Sequence, residues 1–243
     1  MTFEEVERWA AAGHVDGDLD GIHLARAITE EVRRAGKHFL PQPFLSRLSE
    51  IRRRHATDRR PFLRAFLDCL LDKHEDRYWN RTYLSLPLLE LIMDEPGHAP
   101  GPDRVATWLI SDVARYEMQT ASAPLEPADA DRDRPGAATL RKRLRHALRF
   151  VAHDHEGLDA EGPDAEDLTR QAADLLPRPA ATEAGRWFDV TVQPVYVLHD
   201  EYFFMRVLQA HEMVFTAIAQ DMRAAIAALR DGCLEPAATC VDR

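Results

Sequence analysis

Apolar residues recur every three or four positions through most of the first 120 residues. This spacing places them on one face of an α-helix, so the pattern predicts helices at about 3–12, 18–36, 43–55, 61–71, 78–93 and 103–118. Gly13 and Gly36 mark two helix ends, and Pro61 suits the first turn of a helix. Pro87 lies inside the fifth segment, where a proline predicts a break or a kink.

The pattern changes in the second half of the chain. Residues 121–136 are polar and contain proline, which predicts a loop and makes this stretch the candidate for a mobile segment. A basic helix near 137–152 and an acidic segment around 154–167 follow. Residues 187–197 are rich in β-branched and aromatic side chains that alternate in places, so an extended segment is expected there.

The longest predicted helix runs from about His199 to Leu229 and carries a continuous apolar stripe. The stripe residues are Phe204, Leu208, His211, Phe215, Ile218, Met222, Ile226 and Leu229. Such a stripe predicts a helix that is central to the hydrophobic core. The 243 residues are therefore expected to form a single all-α domain, 1–243, because this length suits one large core.

Composition and charge exclude several classes of protein. Hydrophobic residues make up 45% of the chain and charged residues 30%, which is an ordinary globular balance. No apolar run has the length of a membrane span, and the acidic N-terminus lacks the features of a signal peptide, so a cytoplasmic protein is expected. The net charge of −10 argues against binding to nucleic acid or anionic membranes. Three cysteines without a Cys-x-x-Cys pair argue against a disulfide framework, a structural zinc site and c-type heme attachment.

The common catalytic motifs are absent from the sequence. It has no Gly-x-Ser-x-Gly, no phosphate-binding glycine loop and no His-Glu-x-x-His. Ionisable and aromatic residues are instead dense in two stretches, 72–89 and 199–212. Such residues either line a pocket or stabilise helix ends, and Asp200 and Glu201 would suit the first turn of a helix without any further function.

These two stretches resemble segments of the tryptophan 2,3-dioxygenases. Tyr83-Leu84-Ser85-Leu86 is similar to their Tyr-Leu-x-Leu segment. His199-Asp200-Glu201-x-x-Phe204, followed by Gln209 and Glu212, resembles their His-Asp-Glu-x-x-Phe…His-Gln-x-x-Glu helix. The dioxygenases have a distal histidine where this chain has Leu208, and their glycine- and threonine-rich loop is absent here. Within the heme-dependent aromatic oxygenases, the chain therefore looks closest to the bacterial heme-dependent tyrosine hydroxylases of natural-product pathways.

The resemblance implies an all-α fold like that of the dioxygenases and a histidine-ligated heme b. It also implies peroxide-driven hydroxylation of the ring of tyrosine or a related aromatic amino acid. Tryptophan or a tryptophan derivative is an alternative substrate. His199 is the expected iron ligand, because an imidazole at the start of a rigid helix is held firmly, and His211 on the same helix is the rival. Phe203 and Arg206 are expected to contact the porphyrin face and a propionate.

Further roles in such an enzyme fall on the first polar stretch. His74 is the candidate distal acid and base, because a peroxide must have a proton moved between its oxygens and an imidazole titrates near neutrality. Arg77 is the candidate for the substrate carboxylate. Tyr78 or Tyr83 is expected to hydrogen-bond the substrate phenol.

A second hypothesis comes from a different class of protein. In a cofactor-free helical interaction protein, His199, Asp200 and Glu201 would only cap a helix. Long apolar stripes also favour self-association, so a homo-oligomer is compatible with either hypothesis.

Overall fold

The computed structural model describes residues 3–11, 17–54, 61–77, 79–95, 97, 99–122, 135–154 and 176–242. Within them the chain forms helices and turns and no strand, which confirms the predicted all-α class. The helices are α1 (Phe3–Ala11), α2 (Gly17–Ala35), α3 (Gln42–Arg54), α4 (Pro61–Leu70), α5 (Asn80–Tyr83), α6 (Leu86–Met93), α7 (Pro102–Ser122), α8 (Ala137–Asp154), α9 (Glu183–Trp187), α10 (His199–Arg230) and α11 (Leu234–Val241). Short 3-10 helices lie at Lys37–Phe39 and Phe188–Thr191. In this part of the chain, no helix is both long and apolar enough to cross a bilayer.

The main core lies where α2, α3, α4, α6 and α7 meet. The fully buried indole of Trp187 belongs to this core, stacked on Phe62 with a centroid distance of 5.5 Å and tilted against Phe66 at 6.4 Å. A smaller cluster joins the second half of α7 to α8 through Met118, Leu148 and their neighbours. The apolar faces predicted for α2, α3 and α4 are buried in this core.

One local prediction is confirmed and another requires correction. The helix predicted at 78–93 is broken, as Pro87 indicated, into α5 and α6, and Pro87 lies in the first turn of α6. A proline is tolerated at that position because its missing N–H would have no helical partner there. Ser85, with φ 49°, turns the chain sharply between α5 and α6. The segment predicted to be extended from 187 is helical through Thr191 and becomes extended only at Val192.

The long helix α10 was expected to bury its apolar stripe, and that prediction is wrong. Phe204, Phe215 and Met222 are 51%, 61% and 59% exposed. The buried face of α10 includes Met205, Met213 and the polar Arg206 and Gln209. Hydrogen bonds make the burial of these polar groups possible. As a result, the buried face of α10 is less apolar than its exposed face. Most of the predicted loop 121–136 and the acidic segment 154–167 lie outside the described residues.

Candidate functional site

The start of α10 is joined to the preceding segment by Glu201. Its carboxylate accepts hydrogen bonds from the backbone N–H groups of Val195 and Tyr196, at 2.8 and 2.6 Å, and the Tyr83 hydroxyl donates to it at 3.3 Å. A carboxylate in the first turn also suits the helix dipole. Glu201 therefore fixes the path of residues 194–198, which we call the approach segment.

His199 and Asp200 are also paired with side chains of the protein. The His199 Nε2 atom lies 2.8 Å from a Glu117 carboxylate oxygen, and its ring stacks on Tyr116 with a centroid distance of 4.7 Å. Arg143 donates to Glu117 at 3.0 Å and to Asp200 at 2.9 Å. This guanidinium links α7, α8 and α10 at the point where the motif begins.

Two cavities flank the approach segment, and Tyr196 and Leu198 line both. The larger, which we call the apolar cavity, has a volume of about 830 Å³ and mainly apolar walls. It is lined by His38, Lys73, Tyr83, Arg143, Val195, Tyr196, Leu198, Asp200, Glu201, Phe203 and Phe204. Its size lies in the range of cofactor and small-molecule sites.

The two residues before His38, Gly36 and Lys37, hold it at the apolar cavity. Gly36 has φ 84°, and a Cβ at this position would lie 2.2 Å from the Val195 carbonyl oxygen. The Lys37 backbone N–H donates to the Pro194 carbonyl at 2.8 Å. The fully buried Lys37 ammonium donates to Asp72 at 2.9 Å and to the Cys69 carbonyl at 3.0 Å. The turn before α3 is thus attached both to the approach segment and to the end of α4.

The environment of His38 favours the neutral imidazole. Burial and the nearby ammonium groups of Lys37 and Lys73 lower its pKa from 6.5 to about 4, although Asp72, 3.9 Å from Nε2, opposes them. At neutral pH the ring therefore carries no charge and retains one nitrogen lone pair. That is the form of histidine that binds metals and accepts protons.

The second cavity, about 550 Å³, is polar, and we call it the arginine cavity. Arg33, Arg115 and Arg178 line it together with His199 and Tyr202. Burial lowers the pKa of Arg115, Asp112 opposes this, and the positive charge of Arg178 adds to the lowering. Positive charge is therefore concentrated on this side of the approach segment.

The structure brings some of the predicted site residues together. Tyr83 and Phe203 both line the apolar cavity, and the Arg143 guanidinium lies 4.1 Å from the centroid of the Phe203 ring. His199 lines the arginine cavity instead. Phe203 and the predicted iron ligand therefore face different cavities.

Arg206, predicted to bind a propionate, is fully buried and is not among the residues that line the two cavities. It donates to Asp112 at 2.7 Å, to Thr191 at 2.6 Å and to Gln209 at 3.0 Å. Burial opposes ionisation of Asp112, but Arg206 and the Tyr202 hydroxyl outweigh it and lower the pKa of that carboxyl. The guanidinium thus stabilises the junction of α7 and α10.

The remaining predicted residues lie elsewhere. Neither His74 nor Arg77 is among the described residues that line the two cavities. Arg77 pairs with Asp68 and Glu75 near the end of α4. His211 is exposed, with Nδ1 2.7 Å from the Val207 carbonyl oxygen. Tyr78 lies outside the described residues.

Sequence reasoning overlooked three side chains of the apolar cavity. His38 belongs to no motif, Lys73 lies in the first polar stretch without a predicted role, and Arg143 lies in the basic helix predicted near 137–152. The only sequence feature that could have pointed to His38 is the Lys-His pair after the helix-ending Gly36, and this feature is weak. Grouping these residues requires the contacts between distant segments, which the sequence alone does not show.

Comparisons with known proteins add no family to this description. A scan against protein-family models found no match, and searches of curated proteins and of solved structures found no significant similarity. Within the described residues, no three histidine, cysteine, aspartate or glutamate side chains are grouped as a metal-ion site requires. A heme iron needs only one protein ligand, so this finding concerns other kinds of metal site.

Proposed function

We propose that this protein binds heme b in the apolar cavity and hydroxylates the ring of tyrosine or a related aromatic amino acid with peroxide. One observation carries the proposal. A mainly apolar cavity of about 830 Å³ lies at the start of the His-Asp-Glu helix, with an imidazole and two cationic side chains in its wall. This arrangement joins the motif that resembles the heme-dependent oxygenases to a space of suitable size and polarity.

The residues present fit the chemical requirements of heme. A porphyrin needs apolar contacts on its faces, and Leu198 and Phe203 offer them. Its propionates need cations, and Lys73 and Arg143 line the same cavity. An iron ligand requires a neutral imidazole, and His38 meets that condition. When bound, the heme would supply the oxidising chemistry, which no side chain of the protein can provide.

We assign the iron ligand to His38 in this proposal, and His199 remains the alternative. His38 lines the apolar cavity, whereas the Nε2 atom of His199 is engaged by Glu117 and its ring faces the arginine cavity. For His199 to bind iron, its other nitrogen would have to face the metal while Glu117 holds Nε2, a carboxylate–histidine arrangement that metal sites use.

Other groups at the cavity would act on the substrate. The Tyr83 hydroxyl, which donates to Glu201, is placed to accept a hydrogen bond from a substrate phenol. The aromatic walls would exclude water from the ring that is hydroxylated.

Expression with added heme precursor, followed by absorption spectroscopy before and after dithionite, tests the proposal. We expect a Soret band that shifts on reduction and is lost or strongly weakened in His38→Ala. It should persist in His211→Ala, which removes an exposed histidine. Loss of the band in His199→Ala but not in His38→Ala would identify His199, at the arginine cavity, as the iron ligand. A flat spectrum from folded wild-type protein would refute heme binding.

Turnover tests the second half of the proposal. Heme-loaded protein, given tyrosine and peroxide, should release a product one oxygen heavier than tyrosine, detected by mass spectrometry. Tyr83→Phe should lower turnover while leaving the Soret band in place, because it removes a hydroxyl from the cavity wall and not an iron ligand. A heme-loaded protein that oxidises neither tyrosine nor tryptophan would contradict the assigned reaction.

A cofactor-free interaction protein is the second candidate function, and a specific observation favours it. His199, Asp200 and Glu201 each have a structural partner, in Glu117, Arg143 and the approach segment respectively. Those contacts account for the three residues without any cofactor. Such a protein would be colourless after purification with heme precursor, whereas the enzyme would be red-brown.

A further inference from the structure

Large apolar side chains cover the solvent-facing side of α10 through most of its length. This outer stripe consists of Phe204, Leu208, His211, Phe215, Ile218, Met222, Ile226 and Leu229. Six of them, all except Leu208 and His211, are between 47% and 61% exposed. Isolated exposed apolar residues are ordinary, but a continuous apolar patch on a protein surface marks an interaction site.

The second half of α10 extends beyond the helix that supports its first half. Pairs between His199 and Glu117 and between Arg206 and Asp112 show that α7 runs antiparallel to α10. Both helices rise by the same distance per residue, so these pairs fix the alignment of the rest of α7 along α10. The first residue of α7, Pro102, therefore lies beside about residue 216 of α10. All residues of α10 after Met213 are described, and among them only Ala225 is buried.

The terminal helix α11 packs against α10 without covering the stripe. Ala225 of α10 and Ala237 of α11 are buried, which marks the closely packed side of this pair. Leu234 and Val241 of α11 are 72% and 74% exposed, so this helix also presents apolar side chains to solvent. The two helices therefore form a hairpin with an apolar outer side.

We propose that the outer stripe of α10 packs against the same stripe of a second copy of this chain, forming a dimer with two-fold symmetry. The stripe repeats on average every 3.5 residues or so, the spacing that lets two helices pack along a common seam. A second copy provides an apolar edge of the same length and spacing, and a two-fold axis brings the same patch of both subunits together.

The area available is sufficient for a stable dimer. Each half-exposed large side chain presents on the order of 100 Å², so six such side chains present about 600 Å². Pairing two copies would bury about 1,200 Å², at the lower end of specific protein interfaces. Leu234 and Val241 would add to this area where they lie next to the seam.

Charge favours a protein partner over a membrane surface. An amphipathic helix that lies on a membrane has a polar face rich in lysine and arginine. The polar positions of α10 after residue 211 carry both signs, with Glu212 and Asp221 beside Arg223 and Arg230. The whole chain has a net charge of −10, which repels anionic lipid.

Sedimentation equilibrium of the full chain at micromolar concentrations tests this inference. Wild-type protein should have twice the 27.6 kDa mass of one chain. Ile218→Glu combined with Met222→Glu should yield monomer, with a dissociation constant raised at least about a hundredfold, because a charge buried in an apolar seam has no partner. The matched control, Gln220→Glu with Ala227→Glu, adds the same charge on exposed positions of the same helix and should remain dimeric.

Several outcomes would overturn the proposal. Monomeric wild-type protein excludes the dimer, and a dimer that survives both stripe charges places the interface elsewhere. If the glutamate variant loses helicity by far-UV circular dichroism, Ile218→Ser with Met222→Ser replaces it. That variant removes apolar area without adding charge, and its dimer should also dissociate more readily. None of these measurements depends on heme.

Discussion

Replacing Lys37 by methionine should destabilise the protein more than any exposed lysine substitution. Lys37 and Asp72 are both fully buried, and their charged groups are 2.9 Å apart. Methionine is similar in size to the alkyl part of the lysine side chain, but it leaves the Asp72 carboxylate without its counter-charge and the Cys69 carbonyl without a donor. The replaced contact joins the turn that carries His38 to the end of α4.

The magnitude follows from what remains around Asp72. Removing one partner of a buried ion pair costs about 3–5 kcal/mol. Thr82 and the Lys73 backbone N–H still donate to Asp72, at 2.9 and 2.7 Å, so we expect a loss near the lower limit, about 3 kcal/mol. This is a large part of the total stability of a typical domain, which is about 5–15 kcal/mol.

Urea unfolding monitored by far-UV circular dichroism measures this loss. Lys73→Met is the control, because Lys73 is exposed and should change the free energy of unfolding by less than about 0.5 kcal/mol. Lys37→Met with Asp72→Leu should recover most of the stability, since it also removes the cost of burying two charges. A loss below about 1 kcal/mol in Lys37→Met, or additive losses in the double variant, would refute the reasoning.

Two further predictions concern the same turn. Gly36→Ala should destabilise the protein by about 2 kcal/mol more than Gly97→Ala in urea unfolding, because both glycines have positive φ but only the Gly36 Cβ would meet another group, the Val195 carbonyl at 2.2 Å. Equal losses would contradict this. Stability should fall as the pH drops from 6.5 to about 4, because in this window the unfolded chain protonates His38 and the folded chain does not. The effect amounts to about 3 kcal/mol, and a wild-type curve as shallow as that of His38→Gln would disprove it.

The helices could be predicted from the sequence because their apolar spacing is local information. The predictions at 43–55 and 199–229 agree with Gln42–Arg54 and His199–Arg230 to within a residue at each end. The orientation of α10 could not be predicted in the same way. An apolar stripe has the same sequence pattern whether it faces its own core or another surface. The buried face of α10 could not be recognised either, because it contains the polar Arg206 and Gln209, whose hydrogen-bond partners lie on other segments.

The candidate site was predictable only where a motif marked it. Tyr83, Glu201 and Phe203 came from the two polar stretches, and all three line the apolar cavity. His38 could not be identified, because its location depends on a glycine that contacts Val195 and on a lysine that reaches Asp72. His199 and Phe203 are four residues apart, so the helix alone predicts that they share a face of α10. Their location at different cavities depends on contacts with other helices, of His199 with Glu117 and of Phe203 with Arg143.

The approach segment forms part of the wall of both cavities and is therefore a partition between them. Tyr196 and Leu198 are exposed to both spaces, and Glu201 holds the backbone of this partition by two hydrogen bonds. A molecule that pushes the partition outward from one cavity must therefore narrow the other. Ligands of the two cavities would affect each other's affinity without touching, and thermodynamic linkage requires that effect to be equal in both directions.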